Sequence, residues 1–104
     1  MKRGDLVAIL GDSEQLRAAL IVQADAFDRH PSVTVLPLTA DVYDTPLFRI
    51  SVPVDPNTGL RREAQIMVDK ATTVSRTRVT RRIGHLDGVT MEAVDEALRG
   101  FMGL

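Results

Sequence analysis

Only one stretch of this chain spaces its apolar residues as a helix must, and it lies towards the C-terminal end. Met91, Val94, Ala97, Leu98, Phe101 and Met102 recur at steps of three and four, forming a single apolar stripe. Asp87 stands where an N-cap carboxylate accepts from exposed backbone N–H groups, and Gly103 is placed to end the helix. Asp95 and Arg99 are spaced i,i+4 on the polar side, the spacing of a helical ion pair. A stripe of this kind usually packs into a core. Everything before residue 87 has to bury its apolar side chains in some other way.

The runs available there are short and rich in strand formers. Asp5-Leu6-Val7-Ala8-Ile9-Leu10 reads as a first strand after a Gly-Asp turn, and Gly11 to Gln15 as a polar loop. Ala18-Ala19-Leu20-Ile21-Val22 is too short for a helix and reads as a buried second strand. Asp25 to Arg29 can make one helical turn before Pro31 stops it. Ser32 to Leu38 alternates at its start, as a third strand with one wet face would. Phe48, Ile50, Val52 and Val54 share one side of a fourth, and Asp55-Pro56-Asn57-Thr58-Gly59 carries the residues of a tight reversal. Further strands are expected over 64–68, around 72–74 and over 83–86. Strands of this length and spacing suggest a mainly β fold, a small barrel with a C-terminal α-helix.

At 104 residues the chain suffices for one core, so residues 1–104 are expected to form a single domain. It has no cysteine, which excludes disulfides and Cys-based zinc sites. No apolar run approaches the ~20 residues that span a bilayer, and no hydrophobic leader follows Lys2-Arg3, so a cytoplasmic protein without membrane contact is expected. Net charge is −1, but it is unevenly spread. Between Arg61 and Arg82 seven bases (Arg61, Arg62, Lys70, Arg76, Arg78, Arg81, Arg82) face two acids (Glu63, Asp69), a local surplus of five. Those bases either share one face, as a nucleic-acid binder needs, or scatter over several; composition alone favours scatter.

Little in the sequence advertises chemistry. His30 and His85 belong to no metal-ligand pattern, there is no phosphate-cradling glycine loop, and no metal or cofactor is implied. Arg17 at the mouth of one strand and Thr39 just beyond the end of another are ordinarily a solvated residue and a turn residue. Brought to one groove, they suit phosphodiester cleavage. A guanidinium can hold the charge that builds on phosphoryl oxygens, and a hydroxyl can orient the phosphate.

Six segments, in order, then resemble one family. They are Lys2-Arg3-Gly4-Asp5-Leu6-Val7; Ser13-Glu14-Gln15 followed by Arg17 to Val22; Val35-Leu36-Pro37-Leu38-Thr39; Gly59-Leu60-Arg61-Arg62; Gln65 to Lys70; and the tail Arg81-Arg82-Ile83-Gly84-His85-Leu86-Asp87 with Met91, Val94 to Leu98 and Gly103-Leu104. Together they resemble the MazF/PemK toxins of type II toxin–antitoxin systems. The resemblance implies an SH3-like barrel of the CcdB/MazF kind and a homodimer. It also implies sequence-specific, metal-independent cleavage of single-stranded RNA, mRNA included, by attack of the 2′-OH, leaving 2′,3′-cyclic phosphate and 5′-OH ends. The family's catalytic positions fall on Arg17 and Thr39. RNA-binding positions fall on Ser13, Gln15, Asp69 and Lys70, with Arg61 and Arg62 adding positive charge. A MazE-like antitoxin, docking through its C-terminal segment, is the implied partner. The chain departs from the family in having Ala18 where a proline is usual and a shorter loop before Arg17.

Two other readings compete. A CcdB-like gyrase poison would act through a C-terminal Trp-Gly-Ile, whereas this chain ends Met102-Gly103-Leu104 and has no tryptophan. A non-catalytic binding barrel would cause no growth arrest when expressed alone. For the homodimer, Leu36, Leu38, Leu47, Phe48 and Phe101 are expected to supply more apolar surface than one core hides.

Overall fold

The computed structural model describes residues 1–45 and 47–104. Seven strands and one α-helix follow in order: β1 (Asp5–Leu10), β2 (Leu16–Ile21), β3 (Ser32–Thr39), β4 (Arg49–Val52), β5 (Ala64–Met67), β6 (Thr72–Ser75), β7 (Val79–His85) and α1 (Gly88–Met102). Single 3-10 turns occupy Asp25–Phe27, Val68–Lys70 and Arg76–Arg78. The fold is the mainly β, SH3-like barrel with a C-terminal helix expected from the sequence.

All the pairings are antiparallel, and the sheet runs β4-β5-β3-β2-β1-β7 with β6 also on β3. β5 and β6 lie along the same edge of β3. Between the pairs Leu38↔Ile66 and Val35↔Thr72, β3 advances three residues while its partner advances six. The turn Val68–Lys70 absorbs the difference. β6 then passes through the turn Arg76–Arg78 into β7, which pairs with β1, so β7-β1-β2-β3-β6 curl into a barrel.

This curl explains the unbroken apolar runs. Val7, Ile9, Ala19, Ile21, Val33 and Val35 fill the barrel, with Val74 and Val79 against them. The opposite faces of the same strands contribute Leu6, Leu20 and Leu36 to a second core with Val52, Ile66, Val68, Leu86 and the helical Val94. Strands dry on both sides cannot show clean polar alternation. Burying each of these larger aliphatic side chains contributes roughly 1.5–3 kcal/mol.

Several expectations need correcting. β2 begins at Leu16 rather than Ala18, because Leu10↔Leu16 and Ile9↔Arg17 extend the ladder to the loop. β7 reaches back to Val79, where exposed Arg81 and Arg82 had masked an edge strand with two register shifts. β4 stops at Val52, and Val54 is exposed. The helix is capped as expected, Asp87 accepting from the Thr90 N–H at 2.7 Å and Gly103 closing it at φ +73°. Asp95, however, takes the Arg3 guanidinium, not that of Arg99. Phe101 and Met102 overhang the core, about half exposed. Of the five residues expected in an apolar partner surface, Leu36 is fully buried, and Leu38 and Phe48 pack against the core. Leu47 and Phe101 remain exposed. Among the described residues no helix is long and apolar enough to cross a membrane.

Candidate functional site

The register between β2 and β3 decides where Arg17 and Thr39 stand. Pairs Ile21↔Val35, Leu20↔Leu36 and Ala19↔Pro37 form the ladder. The ladder ends there; continued two residues past Ala19↔Pro37, the same register would bring Arg17 opposite Thr39. Thr39 in turn pairs with Gln65, and Gln65 with Ser51. Because residues directly opposite share a face, Thr39, Gln65 and Ser51 form one polar row across β3, β5 and β4, and the extended β2–β3 register puts Arg17 at its end. Alternation places Arg17 on the same side as Ala19 and Ile21, so the row lies at the rim of the barrel interior.

Arg17 is exposed, and its guanidinium makes no salt bridge among the described residues. Thr39 is half-buried, and its Oγ1 accepts the Asp41 N–H at 3.2 Å. That bond uses a lone pair and leaves the hydroxyl hydrogen to be donated elsewhere. Ser13 and Gln15 lie exposed on the tight β1–β2 loop, which is closed by the Gly11 N–H bonding to the Gln15 carbonyl at 2.8 Å, with Glu14 at φ +60°. This loop leads directly into Arg17. Arg61 and Arg62 stand exposed just before β5, at the same end of the sheet as Thr39.

Asp69 and Lys70 lie apart from this end, on the turn alongside the middle of β3. Asp69 is held by Arg49, Nε to Oδ1 at 2.9 Å and Nη2 to Oδ2 at 3.3 Å, while Arg49 also sits 6.0 Å from the Phe48 ring. Both side chains of the pair are largely buried. The pair ties the β5–β6 turn to β4. Lys70 is exposed.

The basic segment does not form one face. Arg76 donates to the His30 carbonyl, Arg78 to the Leu10 carbonyl and Asp12, and Arg82 to Asp5. Residues 81 and 82 are adjacent on a strand and point to opposite sides. The scattered reading is the correct one, and at the rim Asp41, Asp44 and Glu63 accompany the arginines. Among the described residues no three His, Asp or Glu side chains group as ligands of a metal ion.

Two carboxylates give the fold a pH dependence. Hydrogen bonding from Arg49, opposed by burial, holds Asp69 below the usual carboxylate range. For Asp5, burial pushes the pKa up, but the Lys2 N–H, Arg82 and His85 outweigh it and the net shift is downward. A depressed folded pKa means stability that is present above the unfolded value, near 3.8, and lost as pH falls through the folded value. Urea unfolding should therefore report a sharp loss of stability below about pH 4. Asp69→Asn should cost roughly 2 kcal/mol at pH 6 and reduce the acid loss; an unchanged acid loss in that variant would remove Asp69 from the account.

Sequence reasoning did not find Gln65, Ser51 or Arg49. Gln65 entered only as part of a strand and of a family segment, and the register reveals it beside Thr39.

The architecture is shared with solved toxin barrels. The Mycobacterium tuberculosis toxin MazF-mt6 superposes with a TM-score of 0.84 over 96% of this chain and 97% of its own, at 24% identity, a likeness that speaks to the fold. The family model described as "PemK-like, MazF-like toxin of type II toxin-antitoxin system" matches residues 2–102, and the chain belongs to that family. It is 40% identical to the probable endoribonuclease MazF of Mycolicibacterium smegmatis, over 100% of this chain and 98% of that one. It is 34% identical to endoribonuclease EndoA of Bacillus subtilis, over 95% and 91%.

Proposed function

We propose that this chain is a single-domain endoribonuclease toxin, over residues 1–104, that cleaves single-stranded RNA without a metal ion. Membership of a family whose full-length relatives are named endoribonucleases supports the activity. The assignment of residues is supported by the β2–β3 register, which, continued two residues past Ala19↔Pro37, would bring Arg17 opposite Thr39.

The chemistry follows from what those groups can do. The ribose 2′-oxygen attacks the adjacent phosphorus, loses its proton, and the bond from phosphorus to the 5′-oxygen breaks. The leaving oxygen takes up a proton, giving a 2′,3′-cyclic phosphate and a 5′-OH. Arg17 donates to the non-bridging oxygens as their charge grows, and can supply the proton or clamp the charge. Thr39, its lone pair engaged by Asp41, donates its hydrogen to the phosphate and fixes its position. Neither histidine joins this row. His30 precedes the opposite end of β3, and His85 is opposite Asp5 at the far end of β1. Ser13, Gln15, Arg61 and Arg62 flank the row and would hold the RNA strand. Lys70 adds charge further along, and Asp69 acts by keeping the turn in place.

The same reading gives a cytoplasmic protein silenced by an antitoxin, through a MazE-like C-terminal segment. A homodimer is inferred from the exposed Leu47, on a groove it lines with Ile50, Ala93, Glu96, Ala97 and Gly100, and from the exposed Phe101 that follows on α1. The test is to incubate the gel-filtered protein with single-stranded RNA in excess EDTA and identify the product ends. Cyclic phosphate and 5′-OH ends from a dimer peak are expected. Intact RNA would refute the nuclease, and a monomer peak the pairing. A gyrase poison would instead trap DNA breaks, which no observation on this rim favours.

A further inference from the structure

Gln65 is only 3% exposed, yet it sits in the same row as the exposed Arg17. Its amide is spent on one residue of the loop that follows Thr39. The Tyr43 N–H donates to Gln65 Oε1 at 3.0 Å, and Gln65 Nε2 donates to the Tyr43 carbonyl at 2.6 Å. Nε2 also reaches Ser51 Oγ at 3.4 Å. The side chain thus does for Tyr43 what a neighbouring strand would do. An aliphatic residue at 65 would leave the Tyr43 N–H without that partner.

The consequence is a fixed backbone under a free ring. Tyr43 is 60% exposed while its main chain is pinned to the residue paired with Thr39. The other aromatic residues stand elsewhere. Phe27 closes the turn after β2, at the strand end away from Arg17. Phe48 packs against the helix-side core beneath Arg49. Phe101 is on the last turn of α1. An exposed aromatic ring on a pre-ordered backbone is what a splayed-out RNA base stacks on, because little freedom remains to be lost on binding.

We propose that Tyr43, held in place by Gln65, is a base-stacking platform for a nucleotide next to the bond cleaved at Arg17 and Thr39, and so a specificity-determining residue. The proposal rests on the nuclease reading above. Gln65 is a positioning residue that acts through Tyr43.

The chain has one tyrosine and no tryptophan, so its intrinsic emission reports on Tyr43 alone. The probe is a set of short 2′-O-methyl RNA oligonucleotides, which lack the attacking hydroxyl, with binding followed independently by anisotropy of a terminal dye. Tyrosine emission should fall as the oligonucleotide saturates. Tyr43→Ala should weaken binding and raise KM for cleavable RNA about ten-fold with kcat within about two-fold, while Tyr43→Phe keeps both. Gln65→Leu, checked for folding by thermal melting, should raise KM with the ring still present. Binding without a change in emission, or an unchanged KM in Tyr43→Ala, overturns the platform. If the wild type binds the oligonucleotides but cuts no RNA, the nuclease reading fails, and the emission and affinity arms still decide the stacking. No binding at all overturns both.

Discussion

Exchanging Arg17 for alanine will lower kcat/KM for single-stranded RNA by about 10²–10³-fold, the cost of removing one donor to a developing oxyanion, with no measurable change in the melting temperature. The two halves of this expectation have separate physical grounds. Arg17 contributes to the fold only through its backbone, paired with Ile9, since its side chain is exposed and makes no salt bridge among the described residues. Substitutions at such positions usually stay within about 0.5 kcal/mol. On the proposed function, its value lies in charge presented beside Thr39. Arg17→Lys keeps the charge but loses the planar fork, so it should recover only part of the lost rate. Steady-state cleavage of a labelled RNA, alongside melting curves, measures all three proteins. An alanine variant that cleaves at the wild-type rate would remove Arg17 from the chemistry and leave the family's activity to be carried by some other group.

How much of this was legible beforehand depended on whether a feature is local. β1 announced itself because both its faces are dry, and α1 because its cap, stripe and closing glycine all lie within one segment. The row at the rim is not local. It depends on β2 and β3 pairing across the connection that holds the turn Asp25–Phe27, and on the three-residue slip at Val68–Lys70 that turns β5 into β6. Nothing in a run such as Ala64-Gln65-Ile66 tells a solvated glutamine from one covered by a loop that is twenty-two residues away in sequence. Ion pairs behaved likewise. Spacing pointed Asp95 towards Arg99 one helical turn on, but Arg3, ninety-two residues away, reaches it from the start of the chain. Arg17 and Thr39 were candidates from their strand-end positions and chemistry, and family likeness, not spacing, lifted them above other polar residues. Arg49 had no signal, because its partner Asp69 lies on a turn whose place against β4 only the assembled sheet defines.

The largest loss of stability is expected from a single methyl group at Gly84. The β4–β5 loop folds back onto β7 here, with the His85 N–H donating to the Asn57 carbonyl at 2.9 Å and the Thr58 N–H to the Asp55 carbonyl at 3.1 Å. A Cβ at Gly84 would lie 2.1 Å from the Thr58 carbonyl oxygen and 2.6 Å from that of Asn57, both backbone atoms with no rotamer to yield. Gly59 meets β7 from the other side, at φ +70° and with its own notional Cβ 2.3 Å from the Ile83 oxygen. Alanine at 84 must therefore lift the loop, losing the His85–Asn57 hydrogen bond and forcing overpacking, together about 3 kcal/mol or more. For a domain of this size that lowers Tm by roughly 15 °C. Gly100 supplies the opposite case within the same chain. It lies inside α1 with open space where its Cβ would stand, so Gly100→Ala should raise Tm by a few degrees, through the roughly 0.5–1 kcal/mol that glycine costs a helix. The same chemical change thus carries opposite signs at two positions. If Gly84→Ala melted like the wild type, the loop could not be seated on β7, and the rim that begins beyond it at Arg61 would lose its anchor.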